Sequence, residues 1–595
     1  MGIRPRKERL AGLSRLVGLE LPREDERAAG GQLLRDCLRR ERRWAGLFVL
    51  GTVARTLAAL LLPVTVAGAI DAAATGADIS TPLLRVGVVV AVLAVSDATA
   101  ELANSYYAAG VIVGVRDRFV RHTLRLWVPG RQRFAAGELL SRLSVDTASP
   151  AGFMSLVVAT LVMLLSLVGA VTMLGFIEWT LAVVVLLGVP VALLAIRLFV
   201  AEAGEPFLRY QQLQADVVTR LIDALQGART IRASGTTGRE ITRILRPLPT
   251  LNAAGRQVWA TQGRISWQLL LLVPLLQVVV LCVGGFGVAA GRITPGELVA
   301  AAAYVVLAVD SLEVVDMLVS ALQSHVGATR VATVLASPPA VAPVAAGYDL
   351  PPGPGRLELR GVTVRMGDRV VLDHLDLAVP AGASVAVVGR SGTGKSVLAS
   401  LVGRLLDPQD GDVRIDGVAV SGVQLAQLRR AVTYAFERPA LLGDTIHDTI
   451  AYARPDASRA EVEEAARAAQ ADYFIRLLPE GYDTDLAGVR LSGGEVQRLG
   501  LARAMLTDAR VVVLDDATSS LDTATEVKVA QALEENLAGR TSLVVAHRTG
   551  TAARADLVAW LDGGRIRALA PHAALWSDPD YRRTFAADPE LVSGR

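Results

Sequence analysis

The sequence predicts a multidomain chain, a six-helix all-α transmembrane part followed by an α/β domain of the P-loop nucleotide-binding type. Three observations predict it: six apolar stretches in the first 320 residues, a proline- and glycine-rich break after Gln323, and a phosphate-loop pattern directly behind a valine-rich run. Hydrophobic residues make up 52% of the 595, and mean hydropathy is +0.41, which is high for a soluble protein. A net charge of +3 over this length gives no electrostatic reason to expect a nucleic-acid partner.

Residues 1–43 read as an N-terminal cytoplasmic or interfacial segment. It is arginine-rich but carries Glu8, Glu20, Glu24, Asp25 and Glu26, and no short apolar core with a small-residue cleavage site follows. No cleaved signal peptide is expected. Within it, Gly31 to Arg43 reads as an amphipathic helix with Leu33, Leu34 and Leu38 set against a basic face, lying on the membrane surface. The two cysteines, Cys37 and Cys282, are too few and too far apart for a disulfide framework or a zinc site.

The transmembrane part is expected over 44–330. A spanning helix needs about 20 mainly apolar residues, and candidates lie near 44–68, 83–107, 153–177, 179–200, 268–290 and 298–320. Asp71 to Pro82 holds no Lys or Arg, whereas Val111 to Ala151 and Ala201 to Gly263 are rich in arginine, so these long connections and both termini belong in the cytoplasm. The second span carries Asp97, Glu101 and Asn104 within about 60° of one helix face. The sixth adds Asp310, Glu313 and Asp316, and Arg55 sits in the first. Charges inside a membrane are costly, so these residues line a path for a cationic or amphipathic substrate, pair internally, for example Arg55 with Asp97 or Glu101, or sit on helix ends that protrude into water.

Residues 331–355, containing Ser337-Pro338-Pro339 and Pro351-Pro352-Gly353-Pro354-Gly355, read as a linker to a soluble domain over 356–595. There Leu357 to Leu359 and Val362 to Val364 alternate like edge strands, while Val385 to Val388 and Val511 to Leu514 are short buried-strand runs. Gly389-Arg390-Ser391-Gly392-Thr393-Gly394-Lys395-Ser396 follows one of them and satisfies G-x-x-x-x-G-K-[ST]. Glycines let backbone N–H groups turn onto phosphates, the next helix adds its positive end, Lys395 reaches the outer phosphates, and Ser396 can ligate Mg²⁺. Lysine occurs only as Lys7, Lys395 and Lys528, so a chance match is expected only about 0.002 times.

Downstream stand Leu491-Ser492-Gly493-Gly494-Glu495, then Val511 to Asp516, Ser519-Ser520-Leu521-Asp522 and Ala546-His547-Arg548. This ordered set resembles the nucleotide-binding domain of ATP-binding cassette (ABC) transporters. Gly137 to Leu143 and Ile293 to Leu298 resemble recurring segments of the exporter membrane domain. The resemblance implies a half-transporter that pairs with a second half, with ATP and Mg²⁺ as cofactors, in contact with membrane lipid and the plasma (inner) membrane as its location. It implies ATP contacts from Gly389 to Ser396, Val397 and Met366, and Mg²⁺ ligands at Ser396, Glu437 and Asp515. By the same resemblance Asp516 and His547 are catalytic, Leu491 to Glu495 is the signature that completes the partner's ATP site, and short coupling helices lie near Asp146 and near Asp223 to Thr230.

The sequence departs from the family at four places. Asp516 stands where a glutamate polarises water, Glu437 where glutamine is usual, and Met366 where an aromatic residue stacks on adenine; Thr484 to Leu491 is about two residues short. Three of these fall on the chain's own phosphate loop while Leu491 to Glu495 is intact. The expectation is a slow own site in a heterodimeric exporter of a small amphipathic molecule, peptide or lipid. The alternatives are an uptake system on the same architecture or an ATP-binding regulatory subunit.

Overall fold

The computed structural model describes residues 24–126, 134–310, 314–342, 344 and 347–585; the side chains of 195–208, 309–323 and scattered positions between 189 and 325 lie outside that description. Two compact units emerge, Met1–Thr123 with Phe134–Ser337, and Leu124–Arg133 with Pro338–Arg595.

The first unit is helical: α1 (Glu24–Arg40), α2 (Arg42–Thr75), α3 (Ser80–Leu126), α4 (Ala136–Ser144), α5 (Ser149–Ile177), α6 (Trp179–Gln226), α7 (Ala228–Ala233), α8 (Thr237–Leu245), α9 (Leu248–Ala289), α10 (Pro295–Asp310) and α11 (Val314–Leu335). Among the described residues, Arg42–Thr75, Ser80–Leu126 and Ala136–Ile177 are long and apolar enough to cross a membrane. Shorter apolar pieces, Trp179–Gly188, Pro274–Ala289 and Pro295–Ala308, fall in the last three predicted spans. The helices outrun their apolar stretches: α3 has 47 residues, or about 70 Å. Its polar half continues as helix and meets no proline.

A core of Leu60, Leu174, Leu181, Val185, Val280, Tyr304 and Val305 joins α2, α5, α6, α9 and α10. Close to Pro63, which withdraws one donor from the α2 ladder, the Tyr304 hydroxyl donates to the Leu60 carbonyl at 2.7 Å. At the far end of the same pair, Asp71 accepts from the Thr294 hydroxyl (2.6 Å) and from Gly296 N–H (2.8 Å), capping α10 from a neighbouring helix. The helix α1 differs from its expected setting. Leu33 and Cys37 are buried, and α1 packs by Gly30 on α11, so the side that carries them faces protein rather than a membrane surface, while Leu38 of the expected apolar set stays exposed.

In the second unit, β1 (Leu357–Met366), β2 (Arg369–Val379), β4 (Asp410–Ile415) and β5 (Val418–Ala419) form an antiparallel sheet in the order β2-β1-β4-β5. The two segments expected as edge strands are one interior strand, β1, which shifts register around Gly361. A second sheet, ordered β10-β9-β3-β8-β7-β6, contains β3 (Ser384–Val388), β6 (Val432–Phe436), β7 (Val511–Asp515), β8 (Thr541–Val545), β9 (Leu557–Asp562) and β10 (Arg565–Ala570). It is parallel from β9 to β6, with β10 antiparallel at its edge.

Strand alternation divides β7 between two cores. Val511 and Val513 join the cluster with Val385, Val387 and Leu398, while Val512 and Leu514 join the helical cluster with Ile446, Val462 and Leu501. Burial on both faces is why these strands read as unbroken apolar runs. The helix after the phosphate loop is α12 (Lys395–Val402), and the signature opens α13 (Gly493–Met505). The predicted boundary at 330 falls inside α11, which continues to Leu335 because Val331, Ala332 and Val334 are buried.

Candidate functional site

The phosphate loop connects β3 to α12, so every group it presents lies beyond the C-terminal ends of parallel strands. Gly392 and Gly394 have φ of 78° and 103°, values that favour glycine. A Cβ on Gly389 would stand 2.4 Å from the Leu561 carbonyl oxygen, so this position also requires glycine. Lys395 is buried; its Nζ donates to the carbonyls of Gly389 (2.7 Å) and Arg390 (3.0 Å), curling the loop around it. Burial pulls the ammonium below the usual lysine range, and Asp516 and Asp515 partly offset that. The Thr393 hydroxyl donates to the Arg390 carbonyl at 2.8 Å. Ser391 is exposed, and Val397 packs its side chain on the sheet core. Met366 is half-buried at the end of β1 and packs on that same core.

Asp515 ends β7, and its Oδ1 accepts from the Ser396 hydroxyl at 3.0 Å. Asp516 follows with φ of 52°, a left-handed turn that aspartate tolerates. Burial raises both carboxyls above the usual range. For Asp515 the Ser396 hydrogen bond opposes this and Glu437 adds to it; for Asp516 His547 opposes it while Glu437 and Asp515 add to it. His547 is exposed, just beyond β8. Glu437 follows β6, has an exposed side chain and pairs with Arg438 at 3.5 Å. The fold thus brings Lys395, Ser396, Glu437, Asp515, Asp516 and His547 within electrostatic range of one another.

Leu491 to Glu495 does not join that group. Ser492 is the N-cap of α13, and Glu495 closes a capping box: Glu495 N–H donates to the Ser492 hydroxyl (3.3 Å), and Ser492 N–H to Glu495 Oε2 (2.7 Å). Gly493 and Gly494 form the first turn beside Ser520. Ser492 and Gly493 are exposed at the positive end of a 13-residue helix, which is suited to an anion.

Sequence reasoning missed Gln497. Almost fully buried, its Nε2 donates to the Glu437 carbonyl (2.8 Å) and the Ser519 hydroxyl (2.9 Å), and its Oε1 accepts from Ser520 N–H (2.9 Å). It stands on the apolar stripe with Gly500, Leu501 and Ala504, and a lone amide on such a stripe was the available signal. Arg548 was quoted without a role; it pairs with Glu526 and donates to the Ser519 carbonyl at 3.1 Å.

In the first unit, Arg55 pairs with Asp97 at 3.3 Å, the internal pairing considered above. The Ser155 hydroxyl donates to Asn104 at 3.1 Å. Glu101 is exposed and has no hydrogen bond or ion pair among the described residues. Asp310, Glu313 and Asp316 have side chains outside the described residues. A 3₁₀ turn, Asp146–Ala148, and the short helix α7 stand at the two predicted coupling positions. Asp146 is buried, 3.4 Å from Arg330.

Known proteins match both units. The family model for the ABC transporter transmembrane region matches residues 46–312, and that for the ABC transporter matches 372–519. The ABC transporter ATP-binding protein RamA of Streptomyces coelicolor is 43% identical over 474 residues, 80% of this chain and 74% of that protein. An ATP-dependent lipid A-core flippase of Syntrophus aciditrophicus is 31% identical over 475 residues, 79% of each. The structure of a bacterial Atm1-family ABC exporter with ATP bound superposes with a TM-score of 0.72 at 27% identity, covering 93% of this chain and 99% of that one. The glycine loop, the carboxylates at the strand ends, the exposed signature helix and these likenesses agree: the chain belongs to the ABC transporter family, as an exporter-type half-transporter of the membrane whose ATPase is coupled to transport.

Proposed function

We propose that this chain forms one half of a heterodimeric exporter in the plasma (inner) membrane, with a slow ATP site on its own phosphate loop and an intact signature serving the partner's site. Asp516 carries the reading. A base after the Mg²⁺-binding strand end must reach the attacking water, and aspartate is one methylene, about 1.5 Å, shorter than glutamate; a misplacement near 1 Å costs on the order of 10²-fold. In a homodimer both sites inherit that defect, whereas a partner with a glutamate supplies one fast site.

The residues fit Mg²⁺. Ser396 and Asp515 offer hard oxygen donors 3.0 Å apart, beside carboxyls that burial holds out of their ordinary range. Ser396, Asp515 and Glu437 would hold the ion, which supplies charge neutralisation at the outer phosphates when bound. Gly389 to Val397 cradle the phosphates, with Met366 against the base, and His547 senses the terminal phosphate. A cation-tolerant path past Asp97, Glu101, Asn104, Asp310 and Glu313 suits an amphipathic cargo, peptide or lipid. The exposed Glu101 carboxylate supports a cationic group on it, and the flippase relative supports a lipid.

Two substitutions test the asymmetry in the assembled transporter. Asp516→Asn leaves most steady-state ATP turnover intact, while Ser492→Asp, which keeps the helix cap but sets a negative charge against the partner's nucleotide, removes most of it. Loss of turnover in Asp516→Asn alone, or full-rate transport by the purified single chain, overturns the reading.

A further inference from the structure

We infer that Arg35, Arg39, Arg42 and Arg43 form a docking face for the anionic headgroups of cytoplasmic-leaflet phospholipids. The apolar positions of α1 are already used: Leu33 and Cys37 are buried, and a Cβ on Gly30 would stand 2.7 Å from Thr329 Oγ1 on α11. What α1 turns away from the protein is its basic side. Glu41, with φ of −102° and ψ of 28°, separates α1 from α2, although its N–H still donates to the Cys37 carbonyl (3.1 Å) and its carbonyl accepts from Ala45 N–H (3.0 Å). At about 100° per residue Arg35 and Arg39 lie about 40° apart on the side of α1 opposite the Gly30, Leu33 and Cys37 strip, and Arg42 and Arg43 open α2 directly after the break.

All four are exposed, and among the described residues none has a carboxylate partner; the Arg35 Nε donates only to Gly31 of its own helix. Asp36, beside them, is the one exposed carboxylate between residues 34 and 44. Elsewhere the surface arginines are commonly paired, as in Arg121 with Asp117 and Arg220 with Asp216. The basic stretch passes directly into exposed apolar side chains, Leu38 before the arginines end and Leu50, 66% exposed, two turns beyond. A belt of cations bordering the lipid-facing start of a membrane span matches a headgroup above its acyl chains, and an acidic protein segment has no use for that apolar continuation.

Electron spin resonance on the full-length chain reconstituted in mixed bilayers tests this by comparing immobilisation of spin-labelled phosphatidylglycerol and phosphatidylcholine. The expected result is a preference for phosphatidylglycerol that falls by up to about fivefold for each arginine neutralised. It also collapses as salt shortens the screening length from about 10 Å at 0.1 M to about 3 Å at 1 M. The fourfold Arg→Gln variant binds both lipids equally, and the fourfold Arg→Lys variant retains the preference. Equal binding by the unaltered chain, a preference indifferent to salt, or a preference kept in the Gln variant overturns the inference. Should the Gln variant fail to insert, the salt series on the unaltered chain and the Lys variant still decide it. None of these readouts depends on ATP turnover.

Discussion

Asp515 and Asp516 are adjacent carboxyls drawn out of water, each raised above the ordinary range by burial and by neighbouring negative charge. A carboxyl whose pKa is higher folded than unfolded weakens the fold when ionised; the penalty is full above the raised value and disappears as pH falls below the ordinary one. Asp516→Asn is therefore expected to raise the melting temperature at neutral pH, by a margin that shrinks as pH falls toward the ordinary value of 3.8. Thermal unfolding of both forms across pH checks it, and a margin that does not change with pH contradicts it. Gln497 makes the opposite trade, since its three hydrogen bonds fix the Glu437 carbonyl and the Ser519-Ser520 turn next to Asp516. Gln497→Leu keeps the volume but strands a buried N–H and a carbonyl, at a cost of about 1–3 kcal/mol for each. It is expected to lower denaturant stability by about 2 kcal/mol or more and to slow ATP turnover.

Among the elements, the α2–α10 contact is where one added methyl group decides most. A Cβ on Gly296 would stand 2.3 Å from the Ala67 carbonyl oxygen, which is α2 backbone, and 2.7 Å from the Asp71 carboxyl, which is held by the cap of α10. Gly296→Ala is expected to force the helices apart at a cost of about 1–3 kcal/mol, seen as a lower melting temperature in detergent, while Gly291→Ala, which meets nothing within 4 Å, loses only the ease of its positive φ. The phosphate loop and the strand runs of β3 and β7 were legible because a local pattern suffices: burial on both faces imposes an apolar run, and the glycines are set by the turn itself. The membrane spans were legible for the same reason, since hydropathy is a property of each segment alone. The polar continuation of α3 was not, because it carries no apolar window, and β1 was misread as two edge strands because a register shift at Gly361 interrupts its alternation. The setting of α1 also escaped: an amphipathic helix shows which side is apolar but not whether protein or lipid covers it.

At the scale of the assembled transporter, the proposed heterodimer divides the work between the two ends of the second unit. Asp516 and Glu437 stand by the phosphate loop, whereas Ser492 to Glu495 keeps a complete capping box and an exposed helix end, which in the proposed reading serves the partner's nucleotide. This division predicts a gain as well as a loss. Restoring the missing methylene by Asp516→Glu places a base at full reach on the chain's own loop; the left-handed φ of 52° at this position limits but does not forbid the exchange. In the chain purified by itself, every site that assembles carries the change, so its slow ATP turnover is expected to rise by on the order of 10-fold or more. If the proposed glutamate-bearing partner supplies the fast site, that site already sets the rate in the complex, and the same substitution is expected to raise turnover at most about twofold, since only one of two sites improves. Steady-state ATPase rates of the two preparations, each with and without the substitution, check this. Equal relative gains in both preparations mean that the sites are equivalent, and the asymmetric transporter then falls.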